Sequence, residues 1–256
     1  MRRSRRLVAV LIAAEWYGWL YRLGRTYGST PDERATPLPG DEICRHPHAV
    51  TDHAITIDAP AASVWPWLVQ MGWGRGQWYT ARWVDQLFFP DNGPSAEEIR
   101  PEWQHLAVGA RVLDGPPEAQ CAFVVALLEP NRHLVLHSRE HLPPGWAQRY
   151  GAWVNFTWAF VLRDLGDGRT RFHFRSRVRT GPWWLRQLYR GLLIPADFVM
   201  ARQMMRGIKQ RAEFVRWTGD PVRVGVRGRA CDAAGPDAGA PSDRRDEPQR
   251  VGVPDS

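Results

Sequence analysis

Two nearby stretches with period-two alternation constrain the fold of this chain more than any other feature. In residues 153–162, WVNFTWAFVL, the even positions Val154, Phe156, Trp158, Phe160 and Leu162 are bulky and apolar. Between them, Asn155, Thr157 and Ala159 are smaller or polar. In residues 169–179, RTRFHFRSRVR, the alternation sets Arg169, Arg171, His173, Arg175, Arg177 and Arg179 against Phe172, Phe174 and Val178. Successive side chains of a strand point to opposite faces, so both stretches predict a sheet with one packed face and one wet face. The arginine face reads as a solvated surface.

A bulky sheet face needs an apolar cover, and the C-terminal region supplies one. From Phe198 the apolar residues fall at Ala201, Met205, Ile208, Ala212 and Val215. That 3-4 spacing makes one stripe along a long helix, with Arg202, Arg206, Lys209 and Arg216 mainly off it. Pro195 is expected to start or kink this helix. Upstream, residues 54–60 (AITIDAP) alternate and stop at a proline, which predicts a first strand. Residues 62–72 (ASVWPWLVQMG) place Val64, Trp67, Leu68 and Met71 at helical spacing, closed by Gly72. A second short helix is expected over 81–89, and further strands over 110–113, 121–128 and 133–138. The order is strand, two short helices, antiparallel strands, long helix. It predicts an α+β, helix-grip fold, an antiparallel β-sheet wrapped around a long C-terminal helix, as one domain over 54–218.

The flanks differ from this body. Residues 1–24 begin with Arg2, Arg3, Arg5 and Arg6 and continue into an apolar run that Glu15 interrupts. The run is short for a spanning helix. A membrane-associated hydrophobic or amphipathic helix, a helix packed on the domain and a cleaved leader are all compatible with it. Residues 25–53 read as a Pro-rich connector. Residues 219–256 lack apolar periodicity and are expected to be disordered. Net charge is +7, from 34 basic against 27 acidic side chains. No nucleic-acid motif accompanies it, so an anionic membrane surface is the expected partner of the N-terminal arginines, and no nucleic acid is expected. The expected location is cytoplasmic or membrane-associated through the N-terminal segment. Cys44, Cys121 and Cys231 form no metal or redox spacing, and reduced thiols are the default.

The stretches VWPWLVQMGWGRGQWY (64–79) and IRPEWQHLAVGARV (99–112), with the WAFVL and TRFHFRSR strands, resemble the START-like, SRPBCC superfamily. The similarity is greatest to an actinobacterial branch described only as SRPBCC family protein, and residues 25–43 also resemble that branch. It covers roughly residues 25–217. The superfamily includes lipid carriers, hormone and polyphenol binders, polyketide aromatases and cyclases, and chaperone cofactors. The resemblance implies a deep apolar cavity between sheet and long helix, of roughly 300–1,000 Å³ if it takes a ligand. The segment 72–79 would lie at a turn near its mouth. Trp73 and Trp78 would line or lid the chamber, and Arg75 would hold a carboxylate or phosphate. Tyr79, Trp103, Phe156, Trp158, Phe160 and Met205 would complete the lining. The alternative is that these aromatics are core and Arg75 pairs with Glu102.

Other chemistries have weaker support. Gly72, Gly74 and Gly76 follow a helix rather than a strand and lack the GK[ST] of a phosphate loop. His133, His137 and His141 have no cysteine or carboxylate pattern around them, so no metal or other cofactor is expected. No Ser-His-Asp order or GxSxG elbow is visible. Three readings stay open: binding of a hydrophobic or amphipathic small molecule such as a lipid or polyketide, a polyketide aromatase/cyclase, and a membrane-tethered interaction module using the arginine face. For the enzyme, Tyr79, Glu102, His105 and Arg175 would supply acid and base.

Overall fold

The computed structural model describes residues 2–88 and 93–218. The tail expected to be disordered, 219–256, lies outside the described residues. Six strands, β1 (Ala49–Ile57), β2 (Arg111–Leu113), β3 (Ala122–Glu129), β4 (His133–Ser138), β5 (Trp153–Asp164) and β6 (Thr170–Gly181), form one sheet in the order β1-β6-β5-β4-β3-β2. Every pairing is antiparallel. β5 and β6 are the long central pair, with Phe160 opposite Phe174 and Trp158 opposite Ser176. This register brings the bulky even positions of both strands onto one face, where all five of β5 are buried.

That face is covered by the C-terminal helical region. α6 (Trp183–Leu188) runs through a π-helical turn, Tyr189–Leu193, into α7 (Ile194–Thr218). Pro195 follows closely on the π-helical turn, so the helical path runs through it from α6 and the proline does not start the helix. Ala201, Met204, Met205, Ile208 and Ala212 are buried against the sheet. The two short helices are α3 (Ala61–Val69) and α4 (Arg82–Phe88). α7 passes so close to the chain after α3 that a Cβ on Gly207 would meet the Tyr79 carbonyl oxygen at 2.0 Å. Only glycine permits that approach.

Residues 25–53 are more than a connector. The first strand starts at Ala49, five residues before the expected Ala54. Ahead of it, α2 (Pro31–Ala35) opens with a capping box: Thr30 Oγ1 accepts from the Glu33 N–H, and the Glu33 carboxylate accepts from the Thr30 N–H. The preceding helix, α1 (Arg2–Thr26), is tied to the body along its second half. Tyr17 Oη donates to the Gly191 carbonyl, and His53 Nε2 lies 2.8 Å from the Gly24 carbonyl. Val10, Leu11 and Ile12 in its first half and Trp16 and Trp19 in its second are exposed. No helix among the described residues is long and apolar enough to cross a membrane.

The arginine face of β6 is not a solvated surface, which corrects the sequence-based expectation. Residues 28–45 fold back across it. Arg175, 3% exposed at its side chain, donates through Nε to Asp52 at 2.6 Å and through Nη1 to Asp41 at 2.8 Å. Its remaining N–H groups reach the carbonyls of Glu33, Arg34 and Thr36. Arg171 makes a two-pronged pair with Glu33 and holds that carboxyl down to about 2, outweighing the upward push of burial. Arg177 pairs with Asp41 and donates to the Cys44 carbonyl. Charged strand residues are buried here because a strap of carboxylates and carbonyls meets them. An interaction module built on an exposed arginine face therefore loses its premise.

Candidate functional site

Between the sheet and α7 lies a small chamber walled by Trp78, Trp158, Phe174, Ala201 and Met204, with Thr80, Asp197 and Met200 also lining it. Each element contributes for a local reason. β5 and β6 present Trp158 and Phe174 because both sit on the packed parity of their strands. Trp78 follows the tight loop after α3, and α7 brings Asp197, Ala201 and Met204 round at helical spacing. The volume open to a water-sized occupant is about 10 Å³. This corrects the expected cavity: roughly one water fits where a ligand chamber was anticipated. The space is filled by aromatic packing. Phe160 stacks on Phe172 and Phe174 with ring centroids 6.3 and 5.1 Å apart, Trp158 meets Trp78 edge-on at 5.3 Å, and Met205 is fully buried.

The polar atoms at this chamber are unusual. Trp78 and Trp158 are more than nine-tenths buried, yet neither indole N–H has a hydrogen-bond partner. A buried donor left unpaired costs about 1–3 kcal/mol. Asp197 makes no hydrogen bond or ion pair among the described residues, and burial pushes its carboxyl up to about 7, with the Asp114 carboxylate adding to the shift. Tyr189, in the π-helical turn, shares a hydrogen bond with Ser176; its hydroxyl is pushed up by burial and by Asp197. Its ring packs edge-on against Phe156 at 6.4 Å.

Further along the same face, a chain of polar groups meets the aromatic wall. His141 Nε2 lies 2.9 Å from Asp114 Oδ2, and Nδ1 lies 2.7 Å from Ser138 Oγ. An ionised carboxylate only accepts, so Nε2 carries the proton and Nδ1 accepts from the Ser138 hydroxyl. Ser138 Oγ in turn accepts from the Glu140 N–H at 3.0 Å. The His141 ring packs on Phe123 at 4.2 Å and on Phe156 at 5.4 Å. Sequence order hid this arrangement, since Asp114 comes from one connection while Ser138 and His141 flank another. The only available clue was the S-x-x-H spacing at 138–141, which is too common to notice.

The other sequence candidates scatter. Arg75 is half-buried and donates through Nη2 to the carbonyls of Val69 and Trp103, at 3.0 and 2.6 Å. It staples the loop, and it does not pair with Glu102, which lies near Arg100. The glycines serve that loop: the Gly72 and Gln77 backbones exchange hydrogen bonds of 3.2 and 3.0 Å, closing a tight turn. Trp73 is half-buried, and Trp103 lies under the Arg100 guanidinium at 4.8 Å. Tyr79 is buried and donates to the Trp67 carbonyl, while burial pushes its hydroxyl up. Glu102 and His105 are exposed, and Arg175 lies on the opposite face of the sheet, so these four do not form one acid–base group. His133, His137 and His141 each have a different partner: Glu129, Asn155 and Asp114. No cluster of metal-ligating residues occurs among the described residues.

No protein-family model matches this chain, and no curated protein is a significant match. Solved structures share its outline at low identity. A hypothetical protein from Helicobacter pylori is 9% identical over 69% of this chain and 95% of its own, with a TM-score of 0.45. A conserved protein from Geobacillus kaustophilus is 12% identical over 64% of this chain and 95% of its own, with a TM-score of 0.38. A Streptomyces aromatase/cyclase is 18% identical over 68% of this chain and 98% of its own, with a TM-score of 0.34. Superpositions this loose carry no functional weight. The sheet-and-helix architecture rests on the strand order and on α7 itself.

Proposed function

We propose that this chain binds a small, largely apolar molecule bearing a hydrogen-bond acceptor, seated between the sheet and α7 at Trp78, Trp158 and Asp197. The observation that carries this reading is the pair of buried indole N–H groups without partners beside a carboxyl that also has none. A carbonyl or ether oxygen placed there would satisfy donors that the fold leaves unpaired. Entry requires the chamber to widen. Met200 and Met204 are unbranched and can change rotamer. The π-helical turn at 189–193 is the kind of irregularity that accompanies functional sites in helices.

The test uses the full chain and the neutral fluorophore N-phenyl-1-naphthylamine, with native mass spectrometry of freshly purified protein to catch a retained ligand. Saturable one-to-one binding is expected, weakened roughly tenfold for acceptor-bearing ligands in Trp158→Phe, the effect of one lost hydrogen bond. Met204→Trp should block it. Binding that survives Met204→Trp unchanged would place the ligand elsewhere and sink the proposal.

A second reading, an acid–base enzyme of the aromatase/cyclase type on a polyketide-like substrate, is favoured by the Asp114–His141–Ser138 chain. An imidazole fixed in one tautomer by a carboxylate is poised to take a proton. The two readings part on His141→Gln: a binding protein keeps its ligand affinity and has no turnover to lose, whereas an enzyme loses α-proton exchange of a 1,3-dicarbonyl probe.

A further inference from the structure

On the opposite side of the sheet, a cleft of about 570 Å³ opens between the end of α1 and the segment that carries α2. Five arginines and two aspartates line it. The two aspartates, Asp41 and Asp52, are already engaged by Arg175 and Arg177. The other three arginines, Arg22, Arg25 and Arg34, form no ion pair among the described residues. The Arg22 side chain makes no hydrogen bond there either. Arg25 makes one long contact, Nε to the Val50 carbonyl at 3.4 Å. Arg34 uses only Nη1, which donates to the Ser29 carbonyl and hydroxyl. Most guanidinium donors of three arginines thus remain free around one concave space whose acids are spoken for.

Like charges gathered in a recess repel one another, and apart from the Arg34 bonds to Ser29 and the long Arg25 contact the fold draws no internal partner for this cluster. Its floor is rigid, because Arg175 is held by two carboxylates and three carbonyls. We propose that this cleft is an anion site for a phosphomonoester group, held by Arg22, Arg25 and Arg34. Planar guanidinium forks match phosphate oxygens in paired hydrogen bonds, and a charge near −2 suits three uncompensated cations better than a single carboxylate does. The volume admits a phosphate with a polar body attached.

Two sources share this chemistry: a soluble phosphate ester and the headgroup of an anionic lipid. The lipid source gains support from α1, whose earlier turns carry the exposed Leu11, Ile12, Trp16 and Trp19 along the helix that ends at Arg22 and Arg25. The site is separate from the aromatic chamber, since it lies on the arginine parity of β6 and the chamber on the phenylalanine parity.

The experiment compares wild type with an Arg22→Gln/Arg25→Gln variant in the full chain, choosing two exposed residues with no structural bond stronger than that 3.4 Å contact. Isothermal titration with glycerol 3-phosphate reads the soluble source. Co-sedimentation with phosphatidic acid vesicles, against phosphatidylcholine vesicles, reads the lipid source. Binding in either arm that falls at least tenfold in the double variant supports the site, and competition of vesicle binding by glycerol 3-phosphate identifies one shared site. Both effects should weaken with salt. No binding in either arm, or binding that the double variant retains in full, overturns the proposal. An unchanged urea midpoint for the variant shows that any loss is local. If the N-phenyl-1-naphthylamine binding of the chamber stays intact in that variant, the two sites fail or stand separately.

Discussion

The two faces of the sheet bury polar groups in opposite ways. On the β6 arginine face the buried polar side chains meet partners: Arg175 with Asp41, Asp52 and three carbonyls, Arg171 with Glu33, and the His173 ring with Asp52. On the α7 face almost everything is apolar; at its chamber two buried indole N–H groups are unmatched, and the half-buried Asp197 has no hydrogen-bond partner among the described residues. A satisfied network can hold a fold together, and the strand arginines leave nothing for a ligand to add; the anion site proposed above uses Arg22, Arg25 and Arg34 beside them. An unsatisfied network costs stability and persists where a ligand completes it. The contrast separates architecture from candidate site within a single sheet, and it can be broken experimentally.

The largest expected effect is on the paired face. Arg175→Ala strands two carboxylates in a buried setting and should cost about 3–5 kcal/mol in urea unfolding, enough to unfold a marginal domain. Arg175→Met, which keeps the volume, should do somewhat better but still fall well below wild type, because Asp52 stays buried. A loss under about 1 kcal/mol in both variants would mean that solvent reaches this face, and the contrast would fail.

On the other face the sign reverses. The Asp197 carboxyl is raised from the usual 3.8 to about 7, so the fold prefers its protonated form. Its contribution is fully present below about pH 4 and lost as pH rises through 7. Asp197→Asn, which cannot ionise, should match wild type near pH 4 and exceed it at pH 8 by on the order of 3–4 kcal/mol. The difference between the two proteins is the quantity to follow. His53, lowered by burial to about 4, destabilises both as pH falls from 6.5 and masks the Asp197 trend in wild type alone. Identical stability curves across pH 4–8 would show that the Asp197 carboxylate is solvated, and that the face is not short of partners.

What the sequence made legible follows the same division. Period-two strands and a 3-4 helix stripe are local patterns of burial, so β5, β6 and α7 could be read off within a few residues. The cover over the arginines could not, because residues 28–45 have no periodicity and bind through backbone carbonyls as much as through side chains. One local clue lies in that segment: Thr30-Pro31-Asp32-Glu33 is a capping box with proline at the first helical position, the signature of helix α2. The alternating Arg171, His173, Arg175 and Arg177, with Glu33, Asp41 and Asp52 available upstream, are a second. Near the chamber, Trp78 and Trp158 stand out in the sequence as bulky aromatics, whereas Asp197 does not, because it sits in the first turn of α7, where a carboxylate needs no special explanation. Asp114, Ser138 and His141 come from two connections and meet only in three dimensions.

The smallest predicted effect concerns the link between the two faces. α1 starts the strap that covers the arginines, and Tyr17 fastens it to the π-helical turn beside the chamber by donating to the Gly191 carbonyl. That hydroxyl is exposed, and the carbonyl it serves can turn to water, so Tyr17→Phe should cost only about 0.5–1 kcal/mol in global stability. The local effect should be plainer. Amides of α1 around Gly18 should exchange faster with solvent, because opening that turn no longer breaks a long-range bond. Protection of β6 around Arg175 should not change, since its partners come from residues 33–52, whose own ties to the body run from Ile43 and Cys44 to Asn155 and from the His48 N–H to the Val178 carbonyl. Apolar ligand affinity at the chamber should change less than twofold if the π-helical turn is held chiefly by α6 and α7. Faster exchange in both α1 and β6 would show that the faces open as one cooperative unit, and their separation into architecture and site would then describe chemistry but not motion.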